Sequence, residues 1–208
     1  MTKNHNPTQY PIDEGVIKFN MHWTNEELEP NQLIEELLLS RNILKENNCI
    51  GAYAQDIGFG NVSIRREDSQ QFYISGSQTG HIAIADKSHL SFVSQCSIEQ
   101  NELYCTGQAK ASSESLTHSM FYQLSTDIKA VVHIHHKELW ERYLNVLPTS
   151  QKDIPYGTQQ MANEIRRLFN SDQLADKKIL VMAGHNEGLI SFGQNLTEAT
   201  DLFLNLLG

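Results

Sequence analysis

The sequence predicts a mixed α/β domain in which a sheet is covered by helices. Three observations predict it. Short β-branched or aromatic runs such as NVSIR, QFYIS, KAVVHIHH and GLISFG have the character of strands. Amphipathic stretches with helical spacing lie between them. The two kinds are intermixed along one length of chain, which argues for a sheet flanked by helices. The 208 residues suit one domain with a sizeable core. Residues 1–28 read as an irregular N-terminal arm and residues 29–208 as the domain.

Each element follows from its residues. In EPNQLIEELLLSRNILKENN (29–48), Leu33, Ile34, Leu37, Leu38 and Leu44 recur at helical spacing, and Pro30 sits near the start, where a missing N–H costs little. NVSIR and QFYIS are strands separated by a charged turn, REDSQ, and ELYC is a further strand. SSESLTHSMFYQL is a helix with a serine entry and an acidic residue in its first turns. KAVVHIHH is a strand, NVLPTSQKDIPYG a loop and TQQMANEIRRLF an amphipathic helix. KKILVMAG and GLISFG are strands, and LTEATDLFLNLL is a closing helix.

Composition excludes several classes. With 39% apolar and 20% charged residues the chain reads as an ordinary globular protein. A formal net charge of −9 argues against a nucleic-acid surface and against an anionic membrane surface. No apolar run approaches a bilayer span, and MTKNHNPTQYPIDEG contains no secretory h-region. Cys49, Cys96 and Cys105 form no CxxC pair, so reduced thiols and a cytoplasmic location are expected.

Histidines carry the first chemical signal. In AVVHIHHKELW (130–140), strand geometry puts His133 and His135 on one face, with Ile134 and His136 on the other. Two imidazoles on one face chelate a divalent metal at little conformational cost. Zinc accepts such a pair and leaves room for a carboxylate or a substrate oxygen. A lone His-x-His equally suits the wet face of a surface strand. The Ala130-Val131-Val132 lead-in points to burial, and buried imidazoles need partners, of which a metal is one.

Four segments carry a resemblance. KASSESLTHSMFYQLSTDIKAVVHIHH joins a serine pair, Glu114 and the His-x-His strand through one helix. GFGNVSIR (58–65), ISGSQTG (74–80) and GHNEGLISFG (184–193) stand around it in a fixed order. Together they resemble the class II aldolase/adducin family, with its P-S-S-E…V-V-H-x-H pattern, G-N-V-S-x-R loop, anion-binding turn and final metal-ligand strand. The set covers about residues 30–208. The resemblance implies a three-layer α/β/α fold with a central, mostly antiparallel sheet. It also implies a homotetramer with active sites at subunit contacts.

The resemblance assigns roles. Glu114 is the expected general acid/base, or a metal ligand when substrate is absent. Ser112 and Ser113 at a helix start, with Gly60, Asn61, Thr79 and Gly80, are the expected cradle for a substrate phosphate. Lys110 is the nearest basic residue to it, and a substrate carboxylate would suit the cradle as well. His118, one turn after Glu114, reads as a satisfied core histidine. His5, His22, His81, His89 and His136 receive no role.

The sequence departs from the family where the third metal ligand should be. The family has histidine immediately before the glycine of the last strand; here Glu187 precedes Gly188, and the histidine is His185. If the segment is extended, the two share one side, and either or both could join His133 and His135. Ala111 replaces the proline that often precedes S-S-E. The expectation is a divalent metal, with zinc the expected ion. The expected protein is a metal-dependent aldolase or lyase that acts on a small hydroxy-carbonyl or sugar-phosphate substrate through a metal-stabilised enediolate. A dehydratase or epimerase on the same fold, and a non-catalytic adducin-like scaffold, are the alternatives.

Overall fold

The computed structural model describes residues 13–171 and 173–207. An eight-stranded sheet forms its centre. In chain order its strands are β1 (Asn20–Thr24), β4 (Asn61–Arg65), β5 (Phe72–Ser75), β6 (Leu90–Ser97), β7 (Glu102–Thr106), β8 (Ala130–His135), β9 (Ile179–Val181) and β10 (Gly188–Gly193). A separate short ribbon pairs β2 (Gly51–Ala52) with β3 (Gly58–Phe59). The spatial order is β1-β7-β6-β5-β4-β8-β10-β9. Every pairing in the large sheet is antiparallel except β1 with β7.

The helices are α1 (Gln32–Glu46), α2 (Ser115–Leu124), α3 (Lys137–Tyr143), α4 (Gln159–Ser171), α5 (Leu174–Lys177) and α6 (Leu196–Leu207). They form two layers, each with its own core. On one side Leu116, Met120 and Phe121 of α2 and Met161, Ile165 and Leu168 of α4 pack with Val131 and Ile190. On the other, Ile34, Leu37 and Leu44 of α1 and Phe203 of α6 pack with Val132, Ile134 and Leu189. Alternate residues of β8 thus serve opposite cores, and all six of its residues are buried. The architecture is the three-layer α/β/α arrangement with a mostly antiparallel sheet that the sequence motifs imply.

Local chemistry explains the elements. Asn31 caps α1, its side chain accepting from the Ile34 amide at 3.2 Å, and Lys45 lies in the last turn. Asn61 of β4 stands opposite His133, and β10 runs along the other edge of β8 with Gly188 opposite His135. Both histidines therefore sit at the end of a central strand, beside a helix layer. The segment expected to be an irregular arm contributes a strand: β1 docks on β7, and Trp23 Nε1 donates to the Gly107 carbonyl at 2.9 Å. Its first twelve residues, His5 among them, lie outside the described residues.

Among the described residues no helix is long and apolar enough to cross a membrane. Phe203 is fully buried under the sheet. Truncating it to alanine removes a large side chain from the core and should destabilise the fold by about 3–5 kcal/mol. A urea unfolding midpoint that shifts by much less would show that this layer repacks.

Candidate active site

The site is built from the end of β8 outward. His133 and His135 lie on the face shared with α2, and their Nε2 atoms stand 3.1 Å apart. The Nδ1 of His133 donates to the Leu189 carbonyl at 3.0 Å. The Nδ1 of His135 lies 2.7 Å from the Tyr53 hydroxyl, which donates to Glu187 Oε2 at 3.1 Å. A hydroxyl has one proton, so Tyr53 must accept from His135. Both Nδ1 atoms therefore carry hydrogens, and both Nε2 atoms direct lone pairs toward one another. Burial first, and neighbouring imidazoles second, hold both rings well below the usual histidine range and so neutral. Two bare acceptors facing each other in a buried site call for a cation.

His185 completes the group. Donor atoms of His133, His135 and His185 all lie within 4.8 Å of one another, and all three residues are buried. The segment 182–187 is a turn and not extended: His185 N bonds to the Met182 carbonyl at 3.1 Å, and Glu187 has φ +67°. The imidazole and the carboxylate are thereby separated. His185 faces the histidine pair, and Glu187 reaches it through the Tyr53 hydroxyl. Tyr156 stacks on the His185 ring at 3.6 Å between centroids and 8° between planes. Nδ1 of His185 is buried without a hydrogen-bond partner, and lies 4.0 Å from Glu114 Oε1.

Glu114 is the residue before the first turn of α2, and it is completely buried. Neither carboxylate oxygen has a hydrogen-bond partner. Burial pushes its pKa up to about 7; the nearby His185 opposes the rise and Glu14 adds to it. A carboxyl that is half ionised near neutral pH can both take and return a proton. His118, one turn on, has its Nδ1 2.7 Å from Ser63 Oγ, and burial lowers its pKa to about 3.

Gly60, Asn61, Thr79, Gly80, Ser112 and Ser113 line one cavity, with Gln78 and Glu14. Two glycines are required by space. Gly60 has φ +76°, and a Cβ on Gly80 would stand 2.0 Å from the Gly51 carbonyl oxygen. Ser112 Oγ accepts from the Glu114 amide at 3.2 Å, so this hydroxyl also caps the turn. Asn61 Oδ1 is buried without a partner. Lys110 points elsewhere, with its ammonium 5.4 Å from the Trp23 ring centre.

Several residues of the site carry no signal in the sequence. Arg41 of α1 is buried, and its guanidinium donates to the carbonyls of Thr79 at 2.8 Å and Ala83 at 3.4 Å. It pins the cavity loop and puts a positive charge behind it. Its only mark in the sequence is a place on the apolar spacing of α1. Tyr53 and Tyr156 stand in segments without periodicity, and Glu14 in the arm.

With this geometry in hand, comparison with known proteins identifies the family. The model for "Class II Aldolase and Adducin N-terminal domain" matches residues 53–206, and the chain belongs to that family. It is 29% identical over 154 residues to a probable L-ribulose-5-phosphate 4-epimerase, UlaF, of Mycoplasma pneumoniae, a match that covers 73% of this chain. It spans 60% of that relative's length. Among solved structures, an L-fuculose 1-phosphate aldolase superposes with a TM-score of 0.64 at 17% identity, over 87% of this chain and 84% of that one. A sugar-phosphate aldolase from Thermotoga maritima gives 0.62 at 18% identity, over 84% and 90%. These structures share the fold.

The raised Glu114 pKa has a consequence for stability. The folded state holds this proton more tightly than the unfolded chain does. Stability is therefore lost as pH rises from about 4.5 to about 7, on the order of a few kcal/mol in metal-free protein. Glu114→Gln removes that loss, so its stability relative to wild type should be more favourable at pH 8 than at pH 5 by about 2–3 kcal/mol. Urea unfolding of chelator-treated protein at both pH values measures it. A difference between variants that does not change with pH would place the carboxyl's titration outside this window.

Proposed function

We propose that this domain is a metal-dependent enzyme of the aldolase and epimerase kind, acting on a small sugar phosphate or similar hydroxy-carbonyl compound. The observation that carries the reading is the pair of buried, neutral imidazoles with Nε2 atoms 3.1 Å apart, beside His185 and a buried carboxyl without partners. The donor set fits a divalent ion, and zinc is the ion that three imidazoles suit best. His133, His135 and His185 would hold it, with Glu187 acting through Tyr53 to orient His135. When bound, such an ion supplies Lewis-acid polarisation of a carbonyl and its neighbouring oxygen.

The chain's own residues do the rest. The cavity around Gly60, Asn61, Thr79, Gly80, Ser112 and Ser113 holds the anionic end of the substrate, with backbone N–H groups and hydroxyls as donors. Arg41 keeps the Thr79–Ala83 carbonyls turned away from the anion. Glu114 takes a proton from the substrate when a bond beside the carbonyl opens, and returns it to carbon or oxygen. Its burial excludes water from that proton. Carbon–carbon cleavage, epimerisation and dehydration all need this transfer, so the site chemistry defines the substrate class more narrowly than the reaction.

Wild-type protein soaked in zinc and desalted should hold about one ion per chain, with nitrogen distances of about 2.0–2.1 Å. His133→Ala/His135→Ala should lose it while remaining folded. In a screen of sugar phosphates for retro-aldol cleavage, epimerisation and dehydration, Glu114→Gln should lose turnover at least a hundredfold and keep its metal. A metal-loaded wild type without turnover across the screen would favour the non-catalytic scaffold instead.

We also propose a cytoplasmic homotetramer, the assembly that the motif resemblance implies. Leu39 and Ile84 are exposed apolar side chains that a subunit contact would cover. Light scattering at micromolar concentration should give about four times the 23.6 kDa chain mass. A stable monomer would count against a site shared between subunits.

A further inference from the structure

We infer that Glu14, from the N-terminal arm, is a fourth protein donor to the metal site of His133, His135 and His185. The inference rests on the metal-binding reading above. Glu14 Oε2 lies 2.6 Å from His185 Nε2 and 3.8 Å from His135 Nε2. The Nε2 atoms of His133 and His135 stand 3.1 Å apart. Donors bound tetrahedrally at zinc distances stand about 3.3 Å apart. Glu14 Oε2 thus lies beside two of the three histidines, and its 2.6 Å hydrogen-bonded contact with His185 Nε2 must open by about 0.7 Å for both atoms to share one ion.

The arm is built to deliver this carboxylate. Gly15 has φ +75° and turns the chain immediately after Glu14. Gln78 clamps the turn: its Nε2 donates to the Glu14 carbonyl at 3.1 Å, and its Oε1 accepts from the Gly58 amide at 2.8 Å. Ser77 Oγ donates to the Gly15 carbonyl at 3.2 Å. On the other side, Lys18 pairs with Asp13 at 2.8 Å and lies over the Tyr156 ring, whose hydroxyl donates to Asp13. Tyr156 in turn stacks on His185. Glu14 is 7% exposed, and a carboxylate buried this far needs a cation or several donors.

The assignment divides labour between two carboxylates. Glu114 Oε1 comes no nearer than 4.0 Å to His185 Nδ1, and neither Glu114 oxygen has a hydrogen-bond partner. Glu14 lies closer to the histidine nitrogens than Glu114 does. With Glu14 as the anionic donor, Glu114 stays free to carry protons. Glu14 and Gly15 also line the anion cavity, so a substrate seated there meets the arm at its metal end and must share the ion with Glu14 or displace it.

The test uses the full chain, freed of metal and titrated with Zn²⁺ against a chromophoric chelator. The same proteins are loaded with Co²⁺ and their visible spectra recorded. Glu14→Gln should weaken zinc by roughly tenfold or more and alter the cobalt bands, while Glu114→Gln leaves both close to wild type. Glu14→Asp, which keeps the charge on a shorter arm, should recover part of the loss. If Glu14→Gln does not fold, the Glu14→Asp cobalt spectrum decides, and one identical to wild type overturns the inference. Wild-type affinity in Glu14→Gln, with binding lost in His133→Ala, overturns the role of Glu14 and leaves the three-histidine site standing. A wild type that binds neither ion overturns both.

Discussion

The two Nε2 atoms of His133 and His135, 3.1 Å apart with their lone pairs directed inward, set the terms for everything around them. That arrangement is unfavourable alone and persists because each ring is fixed from behind. Leu189, on the neighbouring strand, supplies one carbonyl, and its position follows from the pairing of β10 with β8. Tyr53, from the short turn between β2 and β3, supplies the other contact and passes it to Glu187. Strand register and one tyrosine thus fix the tautomer of both histidines. The sheet is more than a platform here, since a slip of one residue between β8 and β10 would turn the histidines onto the α1 and α6 face.

The cavity lined by Gly60, Thr79 and Ser112 depends on a second constraint, the packing of the 76–80 turn against the β2–β3 ribbon. Gly80 approaches the Gly51 carbonyl too closely for any side chain. Arg41 reaches through from α1 to take the carbonyls of Thr79 and Ala83. The buried guanidinium lies behind the loop, held by these carbonyls and by Asn42 Oδ1 at 3.1 Å, and burial lowers its pKa. Lys110, the nearest basic residue in sequence, lies instead over Trp23.

Much of the fold was legible because its elements are periodic. The β-branched strands β4, β5, β8 and β10 and the helices α1, α2, α4 and α6 stand where the residue patterns place them. β6, LSFVSQCS, was not legible, because serines and glutamine interrupt its apolar residues. β1 was lost in a polar stretch that is held by pairing with β7, a non-local interaction that no local pattern records. α3, KELWERY, is short and buries only Leu139. The His-x-His pair could be found because its spacing is chemical, and Glu114 because its segment resembles a family motif. Tyr53, Tyr156, Arg41 and Glu14 could not, since each acts through a contact made across long stretches of sequence. The relation of His185 to Glu187 turned on backbone conformation: the positive φ at Glu187 parts two residues that an extended segment would have kept on one side.

The unpartnered polar atoms give the site its character. Glu114 Oε1 and Oε2, His185 Nδ1 and Asn61 Oδ1 are all buried and all lack hydrogen-bond partners. Leaving such groups unpaired costs about 1–3 kcal/mol each, which a structural core would avoid by substituting apolar side chains. Here they gather around one end of β8, between the entry of α2 and the turn before β10. Arg65, also buried with unpaired nitrogens, lies at the opposite end of β4, where its neighbours Tyr122 and Asp68 offer an electrostatic account. Around Glu114 burial is the larger influence: it raises the carboxyl's pKa against the opposing effect of His185 and Lys18. A protein retains a destabilising arrangement of this kind when ligand binding supplies the missing partners. The folded state without such a partner is then the strained one.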